Sequence, residues 1–161
     1  MLEAITNTSP LLYLYRIGQI ELLSRLFDAI ITAPAVNLEL LEGSRRGYDV
    51  PTVNDYPWLR IKQPENIPSE WLVSDLGRGE LEAISLALER PKWIIILDDG
   101  LARRIAKAAG LEVWGTLRIL LEGKRLGYLT EMTSVVDALR QSGMWISEDI
   151  RRRILILAGE A

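Results

Sequence analysis

Four carboxylates and one carboxamide stand where they could act together: Asn7, Glu39, Glu80 and the adjacent pair Asp98 and Asp99. The chain of 161 residues contains no histidine and no cysteine. That excludes disulfide scaffolds, zinc ribbons and fingers, thiol nucleophiles, Ser-His-Asp triads and any mechanism with a histidine base. Carboxylates, amides, hydroxyls and Lys or Arg are left for chemistry. Converging carboxylates without His or Cys make a hard-oxygen site, which suits Mg²⁺ or Mn²⁺. The matching reaction is phosphodiester hydrolysis, where such an ion acidifies a bound water and neutralises charge on the phosphate.

Each candidate has its own argument and its own structural alternative. Ligands of a parallel sheet gather outside the carboxyl ends of the strands. Asn7 follows a predicted strand at 2–6, and its alternative is a hydrogen bond to the turn leading into Ser9 and Pro10. Asp98 and Asp99 follow the five apolar residues 93–97. Asp99 can serve as the N-cap of the next helix, which leaves Asp98 without that role. Along 80–89, a helical step of about 100° per residue sets Glu80 among Ala83, Ile84, Ala87 and Leu88. Glu82 falls opposite, beside Ser85 and Glu89, so Glu80 is expected to be buried and functional and Glu82 solvated. The alternative for Glu80 is a charge at a helix N-terminus. Glu39 lies inside an apolar helix, although nearby Glu42 marks an exposed face, so both readings stay open for it. The run from Gly77 to Glu82 begins like a dinucleotide fingerprint, but it ends in Glu and no apolar strand leads into it.

The elements that must position these residues alternate between short β-branched runs and helical periodicity, which is the pattern of an α/β domain. Strands are predicted at 2–6, 29–32, 93–97 and 111–114, with a further candidate at 58–62. Ser9 and Pro10 are expected as N-cap and first residue of a helix that Gly18 ends. A short helix follows at 20–27, then a helix opened by Pro34 and stopped by Gly43. Residues 44–57 are polar and turn-rich, a loop or flap. Helices are predicted from Gly79, at 100–109 up to Gly110, at 116–126, at about 130–141 and at 148–158. Successive βα crossovers imply a parallel sheet. Composition agrees with one folded domain over 1–161, with 130–161 as a C-terminal helical extension: 48% of residues are hydrophobic and 25% charged.

Several motifs occur in register. Asn7-Thr8-Ser9-Pro10-Leu11 resembles the opening D/N-T-S-P-L of PIN-domain proteins, in particular their VapC-like subfamily, with its L-G-x-G-E-x-E-A-I segment. That segment reads here from Leu76 to Ile84. Asp98-Asp99, Ala102-Arg103, Gly110-Leu111 and Gly115-Thr116-Leu117 continue the pattern in order, and the likeness extends to the tail at 157–160. The resemblance implies a three-layer α/β/α domain whose acids hold one or two Mg²⁺ or Mn²⁺ ions and cleave RNA, usually as the toxin of a toxin–antitoxin pair. It places Asn7 at the first acid position, Glu39 at the second, Glu80 at the third and Asp98 at the fourth, with Asp99 as a neighbour able to replace or assist it. Asn7 departs from the active pattern, since an amide brings an oxygen but no charge.

The function expected is a metal-dependent endoribonuclease with Glu39, Glu80 and Asp98 as its catalytic acids. The alternative is a weakened PIN fold that works by binding a protein or nucleic acid. The net charge of −3 is unevenly spread, with −6 over 1–99 and +3 over 100–161. Arg45, Arg46, Arg103 or Arg104 is expected to hold RNA phosphates near the acids. The partners expected are an RNA substrate, a cognate antitoxin and a second copy of the chain, the last because 11–15 is almost continuously apolar. No run approaches the roughly 20 apolar residues of a membrane helix. An acid at Glu3 suits no signal peptide, so a cytoplasmic location is expected.

Overall fold

The computed structural model describes residues 2–69 and 75–161. Five strands form one sheet: β1 (Glu3–Thr6), β2 (Ala29–Thr32), β3 (Leu59–Ile61), β4 (Ile94–Ile96) and β5 (Glu112–Trp114). Their order is β3-β2-β1-β4-β5, and every pair is parallel. Parallel pairing demands crossovers, and eight helices are described: α1 (Thr8–Arg16), α2 (Leu22–Leu26), α3 (Pro34–Arg45), α4 (Arg78–Leu88), α5 (Gly100–Ala108), α6 (Thr116–Arg125), α7 (Thr133–Gln141) and α8 (Glu148–Leu157). From β1 the chain winds outward to β2 and β3, then returns to the other side of β1 for β4 and β5. Right-handed crossovers in opposite directions cover both faces, giving three layers. The central strands therefore read as unbroken apolar runs, and Ile94, Ile95, Ile96 and Leu97 are all buried.

Three local expectations change. Asn7, in extended conformation, holds the N-cap position of α1 in place of Ser9, because the helix already begins at Thr8. Gly43 does not stop α3, which runs two residues further before Gly47 turns the chain at φ +87°. Gly43 instead allows a close approach, since a Cβ there would meet Val50 Cγ1 at 3.3 Å. The apolar face of α1 is covered within the chain. Leu11 and Leu14 are fully buried, Tyr13 and Tyr15 pack against the core, and α3 and α6 lie on the helix. α3 and α6 thus take up most of the surplus, and Leu12, Tyr13 and Tyr15 stay half-buried.

The C-terminal helices are tied back by one carboxylate. Glu160 accepts hydrogen bonds from Lys124 Nζ, from the N–H of Met132, and from both the N–H (2.9 Å) and the hydroxyl (2.7 Å) of Thr133. It thereby supplies a negative charge to the N-terminus of α7. These donors, Lys124 foremost, hold the Glu160 carboxyl at about 2, below its ordinary 4.5. A depressed carboxyl stabilises the fold above the unfolded value, and that contribution fades as pH falls toward the folded one. Glu160→Gln should accordingly melt at a lower temperature than wild type at pH 7. The gap should close between pH 4.5 and about 2. Equal melting curves at pH 7 would remove the tie.

Candidate functional site

The order of the strands fixes where a site can form. Between β1 and β4 the chain's direction of winding reverses, and a crevice opens there beyond the carboxyl ends of the strands. Thr6 is in register with Ile96, and the Asn7 N–H donates to Ile96 O at 3.2 Å. Asn7, Asp98 and Asp99 thus emerge side by side. Asn7 is 4% exposed, and its Oδ1 has no hydrogen-bond donor. Its side chain does not cap α1, so the turn alternative for Asn7 is not what the structure contains.

Glu39 comes to the same end of the sheet from α3. It accepts a hydrogen bond from the Gly79 N–H of α4 at 3.0 Å and another from the Thr8 hydroxyl. Glycine lets the carboxylate come this close, since a Cβ on residue 79 would stand 2.7 Å from Glu39 Oε1 and the carboxylate would have to shift. Glu80 is half-buried in the first turn of α4 and accepts from the Gly77 N–H at 3.1 Å. Burial first, then the charges of Asp99 and Glu39, push its carboxyl above the ordinary range, against the Gly77 bond. Three acids from α3, α4 and the start of α5 therefore share one electrostatic environment.

The two aspartates after β4 divide their roles. Asp99 caps α5, accepting from the Ala102 N–H at 3.0 Å, as its alternative anticipated. Asp98 does not cap α5, as expected, but it is engaged at the next helix. Its oxygens accept from the Thr116 N–H at 2.8 Å and the Thr116 hydroxyl at 2.6 Å, which pins the start of α6. Burial raises the Asp98 carboxyl, opposed by the Thr116 bonds and by the Arg103 guanidinium. Arg103 donates to Leu97 O at 2.9 Å. Gly115 leaves room for both groups, since a Cβ there would lie 2.9 Å from Arg103 Nη1 and 3.3 Å from Asp98 Oδ1.

One expectation about charged residues is corrected. Glu82 is not solvated: it is 8% exposed, accepts from the Ala35 N–H of α3 at 3.0 Å, and pairs with Arg78 at 2.8 Å. The helical-face reasoning fails because α4 is buried on almost every side, from Leu81 through Ala87. Glu82 ties α4 to the start of α3 and so sets Glu39 against Gly79. Arg45 and Arg46 both pair with Glu42 on α3, whereas Arg103 and Arg104 form no ion pair among the described residues.

The donor set is all oxygen, and one of its members, Asn7 Oδ1, is buried with no donor of its own. That is a fit for a hard divalent cation. Among the described residues no three acidic side chains stand close enough together to hold an ion as placed. Each carboxylate is instead drawn to a helix N–H group, and ligation would require them to turn inward from these donors.

Residues 3–160 match the family DUF3368, a PIN domain. Among solved structures the chain is similar to a PilT N-terminus domain protein, SSO1118, from the hyperthermophilic archaeon Sulfolobus solfataricus P2. The TM-score is 0.53 at 15% sequence identity, covering 91% of this chain and 98% of that one, a likeness that bears on the fold. No curated protein matches the chain.

The raised Glu80 carboxyl gives a prediction about the metal-free protein. A raised value means that ionising Glu80 costs stability as pH climbs above the unfolded value. Glutamine keeps an acceptor for the Gly77 N–H and removes the charge. Glu80→Gln should melt above wild type at pH 7 in EDTA, and the difference should vanish below the ordinary value of 4.5. A variant that melts lower at pH 7 would show that Glu80 is not under repulsion.

Proposed function

This chain belongs to the PIN-domain family, and on that premise we propose that it is a metal-dependent endoribonuclease that hydrolyses RNA phosphodiester bonds. Mg²⁺ or Mn²⁺ would be held by Asn7 Oδ1, Glu39, Glu80 and Asp98, with Asp99 beside Asp98 able to replace or assist it. Bound there, such an ion supplies an acidified water and charge neutralisation on the phosphate. The chain's own residues do the rest. Thr8 and the Gly79 N–H orient Glu39, Glu82 sets the helix that carries it, and Thr116 fixes Asp98. Arg103 and Arg104, at the start of α5, are the cations available to a phosphate.

The observation that carries this reading is Asn7 Oδ1. A buried carbonyl oxygen without a donor costs about 1–3 kcal/mol, and a cation at the crevice would offset that cost. The neutral amide also leaves the site one charge poorer than four acids would make it. Asn7→Asp, nearly identical in shape, should bind Mn²⁺ more tightly in calorimetry and cleave RNA faster. No Mn²⁺ binding by wild type up to millimolar metal would end the nuclease reading. Asn7 favours one second reading, a PIN fold that binds a protein or nucleic acid without cutting, and that result would leave it as the reading to pursue.

The finer proposal is a VapC-like toxin, restrained by a cognate antitoxin and acting as a homodimer. Since α1 is covered, Leu38, Leu41 and Tyr48, exposed on and after α3, are the apolar surface for a second copy. Light scattering should give twice the 18.2 kDa of one chain. A monomer at micromolar concentration would remove the dimer.

A further inference from the structure

We propose that the groove between α6 and α8 is a subsite for single-stranded RNA, with the Trp145 indole as the platform on which one base stacks beside the scissile phosphate. The proposal rests on the ribonuclease reading and extends it to how the substrate is held.

Trp145 is 82% exposed, more than any other large apolar side chain described. The backbone that carries it is braced. The turn between α7 and α8 is braced by Met144 N–H to Leu139 O at 3.0 Å, and by Arg140 Nε and Nη2 to Ile146 O at 3.1 and 2.8 Å. Ile146, next in the chain, is buried. The indole is thus displayed on a rigid mount, and among the described residues no aromatic or cationic group stacks on it. A bare indole carried on a braced turn is a ready stacking surface.

The groove holds about 590 Å³ and is lined by Asp98 and Arg103 as well as by Met144, Trp145 and Leu157. It is therefore continuous with the candidate site. A polynucleotide gripped at the acids must extend past the phosphate being cut, and this is the adjoining space. Charge agrees. Arg118 also lines the groove, its guanidinium 4.3 Å over the Trp114 ring, and neither Arg103 nor Arg118 pairs with an acid among the described residues. Glu122, the other acid of the lining, is neutralised by Arg125 at 2.9 Å. Guanidinium groups in no ion pair among the described residues, beside a bare aromatic face, suit a single strand, whose phosphates and base faces are both accessible; a duplex hides its base faces.

The test measures binding in EDTA, where no cleavage occurs, by the anisotropy of a labelled single-stranded RNA of about ten nucleotides and of its duplex. Wild type should prefer the single strand. Trp145→Ala should weaken that binding roughly tenfold, and Trp145→Phe should keep most of it. Both variants should melt like wild type, since the side chain is exposed. Unchanged affinity in Trp145→Ala overturns the subsite. So does a change in oligomeric state without a change in RNA affinity, which would make the groove a protein interface. Cleavage with Mn²⁺ separates the two proposals. Trp145-dependent binding without any cleavage keeps the subsite and ends the nuclease reading, whereas cleavage that ignores Trp145→Ala does the reverse.

Discussion

Helix N-termini and carboxylates meet at one edge of the sheet, and the arrangement of both fold and site depends on that meeting. Parallel strands deliver every following helix with its N-terminus at the carboxyl edge, where unpaired N–H groups and the positive ends of the helix dipoles collect. Glu39 takes an N–H at the start of α4, Asp99 one at the start of α5, Asp98 one at the start of α6, and Glu82 one at the start of α3. Glu80 bonds the N–H of Gly77, the residue that opens α4. The acids satisfy the helix ends, and the helix ends keep like charges from driving the edge apart. Glu82 is the member that serves only architecture: its two oxygens join α3, α4 and Arg78. Through it the helix bearing Glu39 is registered against the helix bearing Glu80.

This coupling explains which parts of the molecule were legible in the sequence. Strands buried on both faces leave apolar runs bounded by breakers, so β1, β2, β4 and β5 and their order among the helices could be read directly. Residues at strand ends were legible for the same reason: Asn7 and Asp98-Asp99 are marked by the runs that precede them. Periodicity failed where its premise failed. It identifies a wet face only if one exists, and α4 has almost none, so Glu82 was assigned to solvent. On α1 the reverse occurred. Its dense apolar residues looked like a surplus because α3 and α6, which cover them, come from distant parts of the chain. Glycine carried two signals that sequence cannot separate. Gly18 and Gly110 turn the chain at positive φ, whereas Gly43 and Gly79 lie inside helices to let a neighbour approach.

The side-chain partners of the acids were not legible at all. Thr8, Gly79 and Thr116 belong to motifs singled out for their order, but nothing in spacing says that Thr8 reaches Glu39 or that Thr116 holds Asp98 through both of its donors. Those contacts follow from strand order. They arise because β1 lies between β2 and β4, so that the ends of α1, α3, α4, α5 and α6 are brought to one place.

Asn7 departs from this pattern, and the departure is informative. Asparagine is among the best N-cap residues, and an N-cap side chain typically contributes about 1 kcal/mol to its helix. Elsewhere in this chain the opportunity is taken: Asp99 caps α5 and Ser147 caps α8 at 3.1 Å. Asn7 occupies the N-cap position of α1 with suitable extended backbone and makes no such bond. Its Oδ1 is buried without a donor, so at one residue a cap is forgone and a desolvation cost is incurred. Helix stability therefore does not account for where this side chain lies. Its backbone is locked to Ile96 at the point where the sheet reverses its winding, so Asn7 and the two aspartates that follow β4 leave neighbouring strands at the same edge. An oxygen kept from its local partner, among acids that all have one, is where a cation would find a free ligand without first breaking a hydrogen bond.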